Sequence, residues 1–223
     1  MKIAIISDAH GNYLSLLKVL KHASQHTNKI YFLGDAVGYF SESDKVIDTL
    51  IEYKINCIIG NHDAMLIDKL KIDPIKDKIY RIEISRKGIK KRNINFLNSL
   101  STKIELDIDG IKILMVHGSP FNHLEGYIYP NTILEETIDF DYLFIGHTHH
   151  SFVIKQKKTV ISNPGSCGLP RDNGNVISYI LFDTLLRTLE IIKIKYNIDS
   201  ILKHYSSTIH ESVITVLKRN NIN

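Results

Sequence analysis

The chain has 223 residues, 43% of them hydrophobic, and a formal net charge of +4. That is enough apolar material for one domain with a real core, and the dispersed lysines favour anionic partners only weakly. Its two cysteines, Cys57 and Cys167, form neither a CxxC pair nor a dense framework, which fits a reducing compartment better than a secreted disulfide scaffold.

The first strand-like run, KIAIIS (2–7), is too short in its apolar part for a signal peptide. No run approaches the ~18 apolar residues of a membrane span, so a soluble cytoplasmic protein is expected. YFLG (31–34) and NCIIG (56–60) resemble the first run. All three are nearly continuous in apolar character, as strands buried on both faces are. Between them, Leu14, Leu17 and Leu20 share a face of a helix over 12–25, and Val46, Ile47, Leu50 and Ile51 share a face of one over 43–53. Asn12 and Ser43 are the expected caps. Residues 64–100 read as two helices parted at Asp73-Pro74, because proline disfavours helical geometry in the residue before it.

From residue 103 the period changes. KIELDI and KILMVHG flank Asp109-Gly110, a strong hairpin signal. A short helix is expected over 131–140, capped by Asn131 or Thr132, and then a strand, YLFIG. FVIKQ, TVIS, NVISYILFD and LEIIKIKY read as further strands. Residues 197–218 read as an amphipathic C-terminal helix with Ile198, Ile201, Leu202, Tyr205, Ile209, Val213 and Val216 apolar. The expected fold class is α/β (α+β), a four-layer α-β-β-α sandwich of two mixed β-sheets with flanking helices. It is expected to be a single domain over 1–223.

Five of the strand-like runs stop at a residue able to bind metal, with glycine close by. SDAHG supplies Asp8 and His10, LGDAVG supplies Asp35, and IGNHDA supplies Asn61, His62 and Asp63. VHGSP supplies His117, and GHTHH supplies His147, His149 and His150. Ligands gather outside the carboxyl ends of strands in open α/β sheets, so these loops can meet. The alternation in Asp8-Ala9-His10 and His147-Thr148-His149 aims each pair to one side of an extended segment. Taken singly, each motif has a bland explanation as a cap, a turn or a solvated loop. Together they point to a shared metal site. Carboxylate, imidazole and amide oxygen without thiolate suit Mn, Fe, Ni, Co or Zn.

SDAHGN, LGDAVGY, IGNHDA, MVHGSP and GHTH resemble, in order and context, the signature blocks of the calcineurin-like metallophosphoesterases. NPGSCGLPRD (163–172), followed by a strand ending in FD, resembles a block of small bacterial and archaeal members. The resemblance implies the four-layer sandwich and a centre of two divalent transition-metal ions, Mn first. Carried over by position, Asp8, His10, Asp35 and His149 would hold one ion. Asp35, Asn61, His117 and His147 would hold the other. His62 would approach the substrate, and Asp63 would orient His62. A hydroxide shared by the metals would then attack phosphorus in line, and protonated His62 would assist the departing oxygen.

The expected activity is metal-dependent phosphoester hydrolysis, with phosphodiesters preferred. A phosphoprotein phosphatase, a phosphomonoesterase and a non-catalytic metal-binding scaffold are the alternatives. The expected partner is a small phosphoester, with nucleic acid only as substrate, no membrane, and a homo-oligomer left open. Arg171 can grip a phosphate, with a surface ion pair the competing reading. His150 is expected behind the ligands or in solvent, Cys167 as an inert buried thiol, and the basic run 86–92 as a solvated face. Tyr39, His123, Tyr127 and Tyr129 fall near motifs, where packing is the plainer role than lining a pocket. The chain departs from the small-member pattern at YFSES and at the Cys and Leu of NPGSCGLP.

Overall fold

The computed structural model describes residues 1–219, so the end of the expected domain, 220–223, lies outside the described residues. The three early strands form as β1 (Lys2–Ile6), β2 (Ile30–Phe32) and β3 (Asn56–Cys57), joined in parallel. Helix α1 (Tyr13–Ala23) is capped by Asn12, whose side chain accepts from the Ser15 N–H. Its buried stripe is Leu16, Val19, Leu20 and Ala23, so the expected Leu14-Leu17-Leu20 face is turned and Leu14 is exposed. Helix α2 (Ser43–Glu52) takes Glu42, not Ser43, as its cap residue, and the Ser43 hydroxyl accepts from the Gly38 N–H instead.

The region read as two helices holds four: α3 (Asn61–Leu66), α4 (Pro74–Tyr80), α5 (Ile82–Gly88) and α6 (Lys91–Ser99). Asp73-Pro74 starts α4, with the Asp73 carboxylate accepting from the Ile75 N–H and Pro74 at the first position. Arg81, at φ 61°, parts α4 from α5. Extended Ile89 and Lys90 part α5 from α6.

Strands β4 (Lys103–Ile108) and β5 (Ile111–Val116) form the expected hairpin. Asp109 and Gly110 both have positive φ, 54° and 70°, as a type I′ turn requires. With β6 (Tyr142–Phe144), β7 (Ser151–Gln156) and β8 (Thr159–Pro164) they make a mixed sheet ordered β4-β5-β6-β8-β7. The chain then returns through β9 (Val176–Asp183) and β10 (Thr188–Lys195), giving the first sheet the order β10-β9-β1-β2-β3.

The two sheets face each other. Ile3 and Ile5 of β1, with Ile180 and Phe182 of β9, meet Ile113 and Met115 of β5 and Phe144 of β6 in one apolar layer. The alternate residues Ala4 and Ile6 point to the opposite core, against α1 and α2. This explains the continuous apolar run of β1, which has two buried faces. The class is the expected one, two mixed sheets with flanking helices.

Residues 131–140 contain no helix. Leu134, Ile138 and Phe140 cover the outer face of the second sheet in an irregular path. Side chains of the β7–β8 hairpin satisfy this backbone: Gln156 Oε1 accepts from the Leu134 N–H, and Lys157 Nζ donates to the Glu135 carbonyl. The C-terminal helix is also broken, into α7 (Ile198–Tyr205) and α8 (Glu211–Leu217), with His210 capping α8. Its apolar stripe still packs on the protein itself, through Ile201, Tyr205, Ile209, Val213 and Leu217. The basic run is occupied by ion pairs, Arg86 with Glu83 and Asp68, and Lys90 and Arg92 with Asp48.

Candidate metal centre

The loops after β1, β2, β3, β5 and β6 converge where the two sheets meet. Asp8, His10, Asp35, His147 and His149 all have left-handed backbones, with φ between 51° and 66°. A non-glycine residue pays about 1–3 kcal/mol for such strain and keeps it only where its surroundings enforce it. Here the loops hold one another. The Asp8 N–H donates to the Gly34 carbonyl at 3.1 Å, the His10 N–H to Asp35 at 2.9 Å, and the Gly168 N–H to Asp8 at 3.1 Å. Gly60 permits a close approach, since a β-carbon there would lie 2.1 Å from Asp35 Oδ1.

Ring orientation follows from the second nitrogen of each histidine. The Nδ1 atoms of His10, His117 and His149 lie 3.0, 2.8 and 2.7 Å from the carbonyls of Val37, Leu33 and Leu169. A carbonyl only accepts, so each Nδ1 must carry a proton, and each ring turns its Nε2 inward. The His10 and His149 Nε2 atoms face each other at 3.0 Å. Asp8 Oδ1 is 3.3 Å from His149 Nε2 and is itself buried without a hydrogen-bond partner. Nearby, Asn61 Oδ1 lies 3.0 Å from His117 Nε2 and 2.9 Å from His147 Nδ1. Asp35 Oδ2 stands between the groups, 3.6 Å from His10 Nε2 and 3.3 Å from His117 Nε2. Lone pairs converging at these distances repel unless cations sit among them. The donor set fits metal.

The electrostatics agree with that fit. Burial opposes ionisation of Asp8 and Asp35, yet the surrounding histidines outweigh it and hold both carboxyls below their ordinary range. Burial pushes His147 down to about 3 and His149 down to about 4, so both stay neutral. At His117 burial is outweighed by Asp35, which raises the ring to about 9. Ionised carboxylates and neutral imidazoles are the forms a metal requires, and the His117 proton is one a bound cation would displace.

Asp8, His10 and His149 thus form one cluster and Asp35, His117 and His147 another, with Asn61 beside the second. His62 lies between them, close to His10 and Asp35. Its ring stacks on Tyr39 at 5.1 Å and tilts against Tyr80 at 4.4 Å, and its Nδ1 is buried without a partner. Burial drives its pKa well below the ordinary histidine value.

Asp63 does not orient His62. Its Oδ2 accepts from the N–H groups of Asp35 (2.8 Å) and Gly60 (3.1 Å), and its Oδ1 from those of Ala36 (2.9 Å) and Val37 (3.2 Å). Successive side chains on a helix diverge by about 100°, so adjacency to His62 carried no contact. Asp63 instead ties the β2 loop to the start of α3. Burial and the nearby Asp35 raise its carboxyl, against the four N–H groups that favour the anion.

Arg171 is held beside the first cluster, with Nη2 donating to the Tyr39 hydroxyl at 3.1 Å. His150 is half-buried and belongs to neither cluster. Cys167 is fully buried, which pushes its thiol pKa up. The block around it acts as a buttress: Leu169 fixes His149, and the Ser166 hydroxyl donates to the Asp8 carbonyl at 2.7 Å. Tyr39 proves more than packing, since it touches both His10 and His62. Tyr80, an apolar-face residue of a short helix, gave no sign in the sequence of its place against His62.

The family model described as the calcineurin-like phosphoesterase superfamily domain matches residues 1–185. The chain belongs to that superfamily. An uncharacterized protein of Methanocaldococcus jannaschii is 33% identical to it over 216 residues, 88% of each chain. The crystal structure of a metallophosphoesterase from Sphaerobacter thermophilus superposes with a TM-score of 0.77 at 26% identity, covering 97% of this chain and 98% of that one. A hypothetical protein of Pyrococcus horikoshii shares the fold, with a TM-score of 0.83 at 21% identity and 98% coverage of both chains. The calcineurin-like blocks thus map onto the converging loops, and the chain is placed in a metallophosphoesterase hydrolase family.

Proposed function

We propose that the chain is a binuclear phosphoesterase that prefers phosphodiesters. The observation that carries this reading is the pair of buried carboxylate–imidazole clusters sharing Asp35, whose Oδ2 lies within 3.6 Å of an inward-facing Nε2 on either side. Asp8, His10, Asp35 and His149 would hold one divalent ion, and Asp35, Asn61, His117 and His147 the other. Mn is the first choice, with Fe, Ni, Co and Zn chemically suited to the same N/O set. Such ions supply Lewis acidity toward water and toward the phosphoryl oxygens.

The chain's own groups do the rest. Asp8 and Asp35 stay ionised and His147 and His149 neutral near neutral pH, while His117 would give up its proton when it binds an ion. His62 has no protein partner at Nδ1 and is held by Tyr39 and Tyr80, so it remains available to the substrate. An arriving phosphoryl anion favours its protonated form, from which it passes a proton to the leaving oxygen. Arg171, positioned by Tyr39, adds one fixed cation for a non-bridging oxygen. One such cation matches a singly charged diester better than a monoester dianion. The two free cysteines suit a reducing, cytoplasmic setting.

The test measures kcat/KM for bis-nitrophenyl phosphate, nitrophenyl phosphate and a phosphoserine peptide at saturating Mn. The diester is expected to lead. A peptide ahead by about tenfold would make the chain a phosphoprotein phosphatase, and metal binding without turnover on any ester would make it a scaffold.

A further inference from the structure

A cavity of about 360 Å³ opens directly on Asn61 and His147, at the edge of the second cluster. It falls within the range of small-molecule sites, roughly 300–1,000 Å³. Tyr80 and Tyr127 line it, and each is backed by a histidine of the centre: Tyr80 by His62 at 4.4 Å and Tyr127 by His147 at 4.2 Å. Tyr127 is 55% exposed, so its ring is open to an arriving ligand. Its neighbour Tyr129 lies parallel to it, 6.1 Å between centroids and 9° between planes.

The rim decides between ligand classes. Lys71, Lys76, Asp73 and Glu125 share the lining, so their formal charges cancel. A balanced rim gives little net attraction to a second phosphate. It offers donors and acceptors to a neutral polar group, and the tyrosines offer faces to a flat one. A phosphoserine or phosphothreonine brings no planar ring of its own to the tyrosines. A nucleoside supplies both the plane and the hydrogen-bonding edges.

We propose that this cavity binds the nucleoside of a nucleotide phosphodiester, with its base against Tyr127 and its phosphorus at the two clusters. The proposal rests on the phosphoesterase reading for the place of the phosphate. Base–aromatic stacking is worth about 1–3 kcal/mol by alanine substitution, which sets the expected effect near tenfold.

The experiment uses the full chain loaded with Mn. It compares kcat/KM for thymidine 5′-(p-nitrophenyl phosphate) and methyl p-nitrophenyl phosphate, which share a leaving group. Calorimetry on the same protein measures binding of thymidine monophosphate, thymidine diphosphate and inorganic phosphate. The wild type is expected to prefer the nucleoside ester by about tenfold and to bind the monophosphate about tenfold more tightly than phosphate. Tyr127→Ala is expected to bring both ratios to within about threefold of unity, and Tyr127→Phe, which keeps the ring, to retain them. Equal hydrolysis of the two esters, with ratios unmoved by Tyr127→Ala, overturns the subsite while leaving the phosphoesterase standing. Monophosphate binding that depends on Tyr127, with neither ester cleaved, upholds the subsite and overturns the phosphoesterase. A diphosphate bound tenfold tighter than the monophosphate overturns the charge-balance argument and with it the neutral nucleoside.

Discussion

Replacing Asp63 by Asn keeps the side chain's size and removes half of its accepting capacity. Asp63 is fully buried, and its two oxygens receive four backbone N–H groups from two loops. Whichever way the amide turns, one pair of N–H donors meets an NH₂ group instead of an oxygen. Each buried donor left unmatched costs about 1–3 kcal/mol, so two cost roughly 2–6. Relief of repulsion between Asp63 and Asp35 returns part of this. The net expectation is a loss of about 3 kcal/mol, read as a lower urea midpoint at unchanged slope. Because the Asp35 N–H is one of the donors, metal affinity should fall in both clusters as well. Circular dichroism through a urea series, with metal analysis of the same preparations, checks both effects. A variant within about 0.5 kcal/mol of wild type, with full metal content, would refute the anchoring role.

His62→Asn is expected to keep its metal content while kcat falls at least 10²-fold, the lower range for general acid catalysis. The loss should be larger for alkyl than for nitrophenyl esters, and equal losses would contradict proton donation. Burial opposes ionisation at Asp48, but bonds from Lys90, Asn93 and Arg92 outweigh it and hold the carboxyl at about 2. A depressed carboxyl stabilises the fold above its unfolded pKa of about 3.9, and that stability is lost as pH falls toward 2. Asp48→Asn should therefore cost about 1 kcal/mol at pH 7, allowing for solvent screening, and progressively less as pH falls through about 2. A cost that does not shrink between these values in acid-range urea titrations would count against the pair. Truncation after Tyr196 removes α7 and α8, uncovering Phe40, which packs on Tyr205 at 5.1 Å. Lower solubility or a changed sedimentation state is expected, and an equally stable, unchanged protein would refute the packing account.

The ligand loops were legible because their chemistry is local. An apolar run, a turn and a metal-competent side chain occupy consecutive residues. Alternation held for only one pair: Asp8 and His10 share a cluster, but His147 and His149 fall in different ones, and all four have left-handed rather than extended backbones. Both sheets were legible for a similar reason, since β1 shows its two buried faces as an unbroken apolar run. Contacts set by distant residues were not. The 131–140 segment has enough apolar residues for a helix, but Gln156 and Lys157 satisfy its backbone from another hairpin. The break at Arg81 falls on a residue with no turn preference of its own. Asp63 misled by adjacency, because its partners lie in the β2 loop, 26–28 positions earlier, as well as at Gly60. The tyrosines around His62 carried no spacing signal, because Tyr39 reaches it from the loop after β2 and Tyr80 from the end of α4.

The central claim is that seven residues hold two ions through a shared carboxylate, and metal stoichiometry tests it most directly. The purified chain is stripped, reconstituted with Mn, desalted and analysed for metal per chain, beside Asp35→Asn and His10→Ala. Two ions per wild-type chain are predicted, with both weakened by Asp35→Asn and one mainly by His10→Ala. No more than trace metal in the reconstituted wild type, or full occupancy retained in Asp35→Asn, would contradict the account.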